Sequence, residues 1–406
     1  GLDGHITYSR STDEGATWNP QHSVAIPGMD STLYAGMGAD AYSIDARGDV
    51  VAFTSGRIDI DWAMWKSTDN GTTWTKTVVQ QWPFPLYDDV NGITDVDGDG
   101  IADTVQTTDG KVAILIDQND MVHVWAGAML VFDDVVADPL GLFLSTDGLL
   151  YWNESMGTNA PVVIAQSPDR DGDGMLTFAA DYAPRYGNGG QTSQPSAALD
   201  PFGNIIVAYI TLMENTTSGN PPPGDFSYRN IFMIGSEDGG TTWGTPFNVS
   251  NSDFDEAVFG SVAKTVNAGC VDIVWQQDGL PGIAVQAPDG NQALHPFGNN
   301  DMIHDCIDIT NVVSGIKENT INGLDINVYP NPASDFLVLN YTLENATSIK
   351  VEIRNTLGQI VKEITDEKML AGEKSFTVDI SDLRAGVYTL NTISGSAVVP
   401  NRFIVE

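Results

Sequence analysis

Positive charge is what this sequence has least of: 18 Lys plus Arg stand against 54 Asp plus Glu, a formal net charge of −36 at pH 7 over 406 residues. So acidic a surface repels nucleic acid and anionic membranes, which excludes nucleic-acid partners. The imbalance is uneven, because residues 321–406 hold 7 of the basic and 11 of the acidic side chains. Residues 1–320 carry nearly all the excess, and their carboxylates are available to divalent cations.

Cysteine is nearly absent as well. Cys270 and Cys306 are the whole supply, enough for one bridge or for two buried thiols, and the sequence leaves that choice open. No apolar run approaches the roughly 18 residues of a membrane helix, so no membrane insertion is expected. Residues 1–20 lack the charged and apolar regions of a signal peptide. If the protein is exported, the sequence begins after processing or after truncation. Residues 1–320 show no long helical period, no Ser or Cys nucleophile motif and no phosphate-binding glycine loop. Five scattered histidines, His5, His22, His123, His295 and His304, have no metal-ligand spacing. The apolar content is an ordinary 42%, so the chain folds, and its length suits two or three domains or one repetitive domain with an appendage.

What the sequence does have is repetition. Ser11-Thr12-Asp13-Glu14-Gly15-Ala16-Thr17-Trp18 recurs as Ser67-Thr68-Asp69-Asn70-Gly71-Thr72-Thr73-Trp74 and as Ser236-Glu237-Asp238-Gly239-Gly240-Thr241-Thr242-Trp243. A degenerate copy keeps Ser145, Asp147 and Trp152 in register. In such a turn Ser and Asp accept backbone N–H groups, Gly supplies positive φ and Trp folds back on an apolar gap. A second pattern, a turn and then a β-rich run ending in an aromatic, recurs at Val50 to Phe53, Val122 to Trp125, Ile205 to Tyr209 and Val271 to Trp275. Four-stranded antiparallel units repeated along the chain predict a β-propeller. The motifs resemble the Asp-box, or BNR, repeats of sialidase-like propellers over roughly residues 1–310. The resemblance implies five or six blades, with the boxes at the blade periphery in a structural role. Residues near 295–315 either complete the blade that Gly1 enters half-way, or earlier blades are missing.

After residue 310 the texture changes, and the predicted layout is a propeller over 1–315, a polar linker over 316–327 and a small immunoglobulin-like β-sandwich over 328–406. Tyr329-Pro330-Asn331-Pro332, Leu357-Gly358-Gln359-Ile360-Val361, Leu383-Arg384-Ala385-Gly386-Val387-Tyr388 and Arg402-Phe403-Ile404-Val405-Glu406 occur in order. They resemble the type A sorting domain of type IX secretion substrates. The resemblance implies a Bacteroidetes-type bacterium, the type IX translocon and its shuttle as partners of residues 328–406, and a location outside the cell or on its outer surface.

Two acidic loops are the candidate metal sites. Asp95, Asp97, Asp99 and Asp103 alternate around Gly98 and Gly100, and Asp169, Asp171 and Asp173 alternate around Gly172 and Gly174. Alternate carboxylates on a tight loop converge oxygens on one point, which suits structural Ca2+. The first loop has Gln106 at position 12 and the second has Thr177 and Ala180 at positions 9 and 12, so neither is a standard EF-hand.

A catalytic set is not recognisable. Sialidases of the resembled architecture use three arginines, a Tyr–Glu pair, an acidic proton donor and a Phe/Tyr-Arg-Ile-Pro motif, for which Tyr228-Arg229-Asn230-Ile231 is the nearest string. Asp88-Asp89 and Asp133-Asp134 read as turn or cation-binding pairs ahead of acid–base pairs. Trp62 and Trp65 read as core, whereas the Pro-interrupted Trp82 to Tyr87 reads as an exposed loop able to stack on sugars. The sequence therefore points to a secreted or surface binding or assembly protein with a glycan or surface-protein ligand, with a sialidase-like glycoside hydrolase as the alternative.

Overall fold

The computed structural model describes residues 6–23, 26–29, 33–34, 37, 41–88, 90–179, 186, 189–219, 225–266, 269–282, 298–313 and 326–405, apart from 344–346, 356–358, 370–371 and 395–396. It divides into two compact units, Gly1–Ser314 and Gly315–Glu406.

The first unit is a β-propeller. Blade I is β1(Tyr42–Arg47), β2(Val50–Arg57), β3(Ile60–Ser67) and β4(Thr75–Gln80), paired in that order. Blade II contains β5(Val105–Ile116), β6(Val122–Phe132), β7(Gly141–Phe143), β8(Leu149–Asn153) and β9(Val162–Ala165), in the order β5-β6-β8-β9 with β7 on β6. Blade III is β10(Thr192–Leu199), β11(Ile205–Leu212), β12(Arg229–Ser236) and β13(Phe247–Asn248). Blade IV is β14(Glu256–Val262), β15(Cys270–Asp278) and β16(Asp301–Asp308). A further hairpin, joined by the Tyr8–Ser23 bridge, precedes blade I.

Every sheet is antiparallel, so inner, second and third strands alternate in direction and both faces of a blade can be apolar. The faces pack on neighbouring blades. Val50, Ala52, Trp62 and Met64 of blade I meet Ile114, Ile116, Val122 and Val124 of blade II. Trp125 and Tyr151 of blade II meet Tyr209 and Phe232 of blade III, and Ile231 and Met233 of blade III meet Ala257, Val258 and Ile273 of blade IV. Trp62 and Trp65 are fully buried, as a core reading requires.

The three full motif copies form the expected turns, and those at Ser67 and Ser236 begin where the third strands β3 and β12 end. In blade I Ser67 Oγ accepts from the Gly71 N–H at 2.7 Å, Asp69 Oδ1 accepts from Thr73 N–H at 2.8 Å, and Gly71 has φ 77°. Trp74 packs edge-on against Tyr8 and Phe53, and Trp243 against Trp125 and Tyr151, whereas Trp18 is 52% exposed.

The degenerate copy is a different object. Asp147 precedes its strand, accepting from Thr192 Oγ1 at 2.6 Å and Ser167 N at 2.8 Å, and Trp152 is a buried residue within β8. The turn that follows the third strand of blade II is instead Asn153-Glu154-Ser155-Met156-Gly157: Asn153 Oδ1 accepts from Ser155 N–H at 2.9 Å and Gly157 has φ 59°. Position sets the geometry, and Asn with Ser substitutes for Ser with Asp. Residues Asp301–Asp308 pair with β15 as the third strand of blade IV.

The second unit is a sandwich of two sheets. One is β17(Ile326–Tyr329), β18(Phe336–Leu343) and β21(Gly372–Asp379); the other orders β20(Ile360–Met369), β19(Thr347–Asn355), β22(Gly386–Ser394) and β23(Ala397–Val405). Leu337, Leu339, Val351, Ile353, Val378, Leu390 and Phe403 fill the space between them. Two motifs from opposite ends of this unit meet, since Asn331 Oδ1 accepts from Ile404 N–H at 3.0 Å. Within a third motif, Tyr388 Oη donates to the Arg384 carbonyl at 2.9 Å and latches the turn before β22. Among the described residues no helix is long and apolar enough to cross a membrane.

Candidate functional site

Strand direction sorts the propeller's loops onto two faces. The Ser-x-Asp-x-Gly turns lie where inner and third strands end; the acidic loops and the long loops before β5 and β10 lie at the opposite end, where inner strands begin. The inner strand of blade II is interrupted there by a register shift between Thr108 and Val112. That bulge turns Asp109 inward, where it accepts from Ser193 Oγ, from Lys111 N at 2.9 Å and from Gly190 N at 3.2 Å. Burial pushes its carboxyl up to about 6 despite those bonds.

Between blades II and III, Asp147 ends a chain of hydroxyls. Thr192 Oγ1 donates to Asp147, so it accepts from Thr211 Oγ1 at 2.7 Å, and Thr211 in turn accepts from Ser167 Oγ at 2.8 Å. Each hydroxyl has one proton, which fixes the direction of the chain. Burial raises the Asp147 carboxyl.

Between blades III and IV, Glu256 opens β14 beside Arg229, which opens β12. Glu256 Oε1 accepts from Tyr186 Oη at 2.7 Å, Oε2 accepts from Arg229 N–H at 2.5 Å, and Arg229 Nη1 lies 3.6 Å from Oε1. The guanidinium sits 5.0 Å from the centre of the Tyr186 ring. Burial pushes Glu256 up to about 7, against the pull of Arg229. Burial raises Tyr186 well above the ordinary phenol range, and neighbouring Glu256 adds to the shift. Its hydroxyl also accepts from Gly282 N–H at 2.8 Å, so all three side chains are enclosed.

The arginines do not gather among the described residues. Arg57 pairs with Asp59, Arg170 with Asp253, and Arg10 and Arg47 lie at the other face; Arg185 lies outside the described residues. The aspartate pairs separate as well. Asp133 is buried and accepts from Tyr87 Oη while Asp134 is exposed; Asp88 caps Val90 and Asn91, and Asp89 lies outside the described residues. The loop aromatics correct their sequence reading: Trp82 is buried, with Phe84 and Tyr87 edge-on to it. Proline interruption marks a loop, but the three rings and Val105, Met129 and Val131 form a small core of their own.

The acidic loops are built alike. Asp95 accepts from Gly98 N and Gly100 N at 2.7 and 2.8 Å, and Asp169 accepts from Gly172 N and Gly174 N at the same distances. Carboxylate oxygens of Asp95, Asp97 and Asp99 lie within 4.8 Å of one another. Asp103 instead faces Val96 N–H, at 2.8 Å. In the second loop Asp169, Asp171 and Asp173 are joined by Glu214, a fully buried residue 41 positions beyond Asp173 that accepts from Arg170 N and Thr177 N. Spacing could not reveal Glu214, because it arrives from the end of β11. Both sets are hard oxygen donors, which fits Ca2+ and not a soft metal.

No curated protein matches the chain. Among solved structures it is similar to a protein of unknown function from Dyadobacter fermentans, at 13% identity and TM-score 0.34 over 90% of this chain and 93% of that one. It is also similar to a GH43 endo-arabinanase from Bacillus licheniformis, at 11% identity and TM-score 0.29 over 84% and 92%. A Trypanosoma rangeli sialidase follows, at 9% identity and TM-score 0.28 over 99% and 57%. Residues 327–406 match the secretion system C-terminal sorting domain. The chain thus carries a β-propeller and a type IX secretion sorting domain, and it is an exported protein of the cell surface or the extracellular space.

Proposed function

We infer that the propeller is a non-catalytic binding module, delivered outside the cell to hold a glycan or a surface protein, with calcium-stabilised loops framing its binding face. One observation carries this reading: on the face where the inner strands begin, the buried carboxylates are already engaged by protein donors. Asp109 is held by Ser193 and two N–H groups, Glu256 by Tyr186 and Arg229, and Glu214 by Arg170 N and Thr177 N. A general acid and base need to reach a substrate. The Asp-box-like turns on the other face serve the blades, and residues 328–406 engage the translocon and shuttle.

A glycan array and a surface-protein pull-down, run with calcium present, test the reading alongside a fluorogenic glycoside panel. Retention of a ligand without turnover supports it; release of sugar overturns it.

The second reading is a sialidase-like glycoside hydrolase, favoured by the contact of Tyr186, Glu256 and Arg229. It requires the Tyr186 hydroxyl to face a substrate, whereas that oxygen is enclosed between Glu256 and Gly282. Hydrolysis of a sialoside that Tyr186→Phe abolishes is the result that establishes it.

A further inference from the structure

One face of blade IV carries a chemistry found nowhere else among the described residues. The β15–β16 ladder pairs Asp272 with Cys306, Cys270 with Asp308 and Val274 with His304. Paired residues of an antiparallel ladder share a face, as do alternate residues along a strand. Cys270, Asp272, His304 and Cys306 therefore stand side by side, while Val271, Ile273 and Ile307 project the other way into the core. Both cysteines of the chain and one of its five histidines meet here.

The ligating atoms of Cys270, Asp272 and Cys306 lie within 4.8 Å of one another, and His304 Nε2 is 3.0 Å from Asp272 Oδ1. Cys270 and Cys306 are joined as a disulfide with Cα atoms 5.4 Å apart. The bridge accounts for two of the four groups. It leaves the His304–Asp272 pair unexplained, because side chains that are 62% and 45% exposed gain little from pairing on a wet surface.

We propose that Cys270, Asp272, His304 and Cys306 form a redox-gated site for a zinc-type divalent cation, closed as the disulfide and open as the dithiol. Two thiolates, an imidazole and a carboxylate are the mixed S, N and O set that such an ion takes tetrahedrally. The set differs in kind from the all-oxygen acidic loops.

Opening requires a dithiol reductant. Its thiolate attacks one sulfur of the bridge, the S–S bond breaks to leave a mixed disulfide, and the reductant's second thiol displaces the protein sulfur. Two electrons and two protons pass to Cys270 and Cys306, and the reductant leaves as its own disulfide. The cation then binds both sulfurs as thiolates, and their two protons go to solvent. Metal–sulfur bonds of about 2.3 Å set the sulfurs farther apart than an S–S bond of about 2.05 Å does. Rotation about the two Cα–Cβ bonds on an open strand face supplies that separation while the ladder stays paired. His304 and Asp272 turn from each other to the shared ion.

The test uses the full chain, reduced, freed of reductant without air and titrated with Co2+ as a spectroscopic probe. Co2+ held by carboxylates in the acidic loops has no thiolate-to-metal charge-transfer band, so that band reads this site alone. One equivalent of Co2+ per reduced chain should give the band with tetrahedral d–d absorption, Zn2+ should displace it, and the oxidised chain should give neither. His304→Ala and Asp272→Asn keep both cysteines, and each should weaken Co2+ binding about tenfold or more. Absence of the band, loss of the β fold on reduction, full affinity in both variants, or an equal band from the oxidised chain would each overturn the proposal.

Discussion

The hydroxyl of Tyr151 in blade II occupies the space that a Cβ on Gly240 of blade III would need. That hydroxyl lies 2.8 Å from His123 Nδ1 and accepts from Asn153 Nδ2 at 2.6 Å, so it cannot step aside without breaking a buried network. Gly240 also has φ 88°. The same clasp recurs at the two preceding junctions: Lys66 of blade I reaches Glu154 in the turn of blade II, and Tyr8 Oη of the N-terminal hairpin donates to the Gly71 carbonyl in the turn of blade I. The turns are thus fasteners between consecutive blades. Gly240→Ala should destabilise the propeller by about 3 kcal/mol or more, combining backbone strain with overpacking. Gly98→Ala, at φ 79° with open space around it, should lose only the backbone part, about 1–2 kcal/mol. Urea unfolding of both variants makes the comparison, and equal losses would refute the clasp.

Buried carboxylates give the propeller an unusual pH dependence. Asp109 and Glu256 titrate near 6 and 7 in the fold, above their ordinary values of 3.8 and 4.5. The folded state therefore binds more protons than the unfolded chain between about pH 4 and 7, and stability falls as pH rises through that window. Groups held low, such as Asp69 and Asp117 at about 2, act with the opposite sign but only in stronger acid. Midpoints of thermal unfolding should drop between pH 5 and pH 8. Asp109→Asn and Glu256→Gln should each flatten the slope, and a slope unchanged in both would refute the assignment.

Much of this was legible in the sequence, and what was not has a physical reason. Ser67, Asp69 and Gly71 are local in sequence and local in space, so spacing alone described their turn. Asp147 and Trp152 matched the same spacing but begin at the wrong end of a strand, and spacing has no knowledge of direction. Glu214, Tyr186 and Glu256 come to the acidic loop or to Arg229 from other blades or loops, and His304 reaches Asp272 through strand register. Such contacts are set by blade packing. Trp82, Phe84 and Tyr87 misled because prolines mark a loop but do not say whether its rings find one another.

The sorting domain should act separately from the propeller, since each unit has its own core. Deleting residues 327–406 should keep the propeller folded and hold it inside the cell envelope, as fractionation and protease protection would record. Asn331→Ala removes the bond to Ile404 that joins the first and last motifs. It should lower export of the full chain while leaving the propeller's unfolding midpoint unchanged. Normal secretion of the deletion variant would refute the role assigned to this domain.

Calcium removal supplies the remaining test. Three carboxylates in the first acidic loop and four in the second lie within 4.8 Å of one another and repel. A divalent cation reverses the sign of that energy, and it stabilises the fold by RT ln(1 + [L]/Kd), about 2.7 kcal/mol at a hundredfold excess over Kd. Chelation should lower the melting midpoint, and added Ca2+ should restore it where Zn2+ does not. Asp97→Asn should weaken the first loop alone. Glu214→Gln should weaken the second loop more than Asp173→Asn does, because Glu214 also receives the N–H groups of Arg170 and Thr177 that hold the loop against β11. Calorimetry should find two Ca2+ per chain, falling to one in either Asp97→Asn or Glu214→Gln. A chain whose melting ignores both chelator and Ca2+ would reduce the acidic loops to solvated turns.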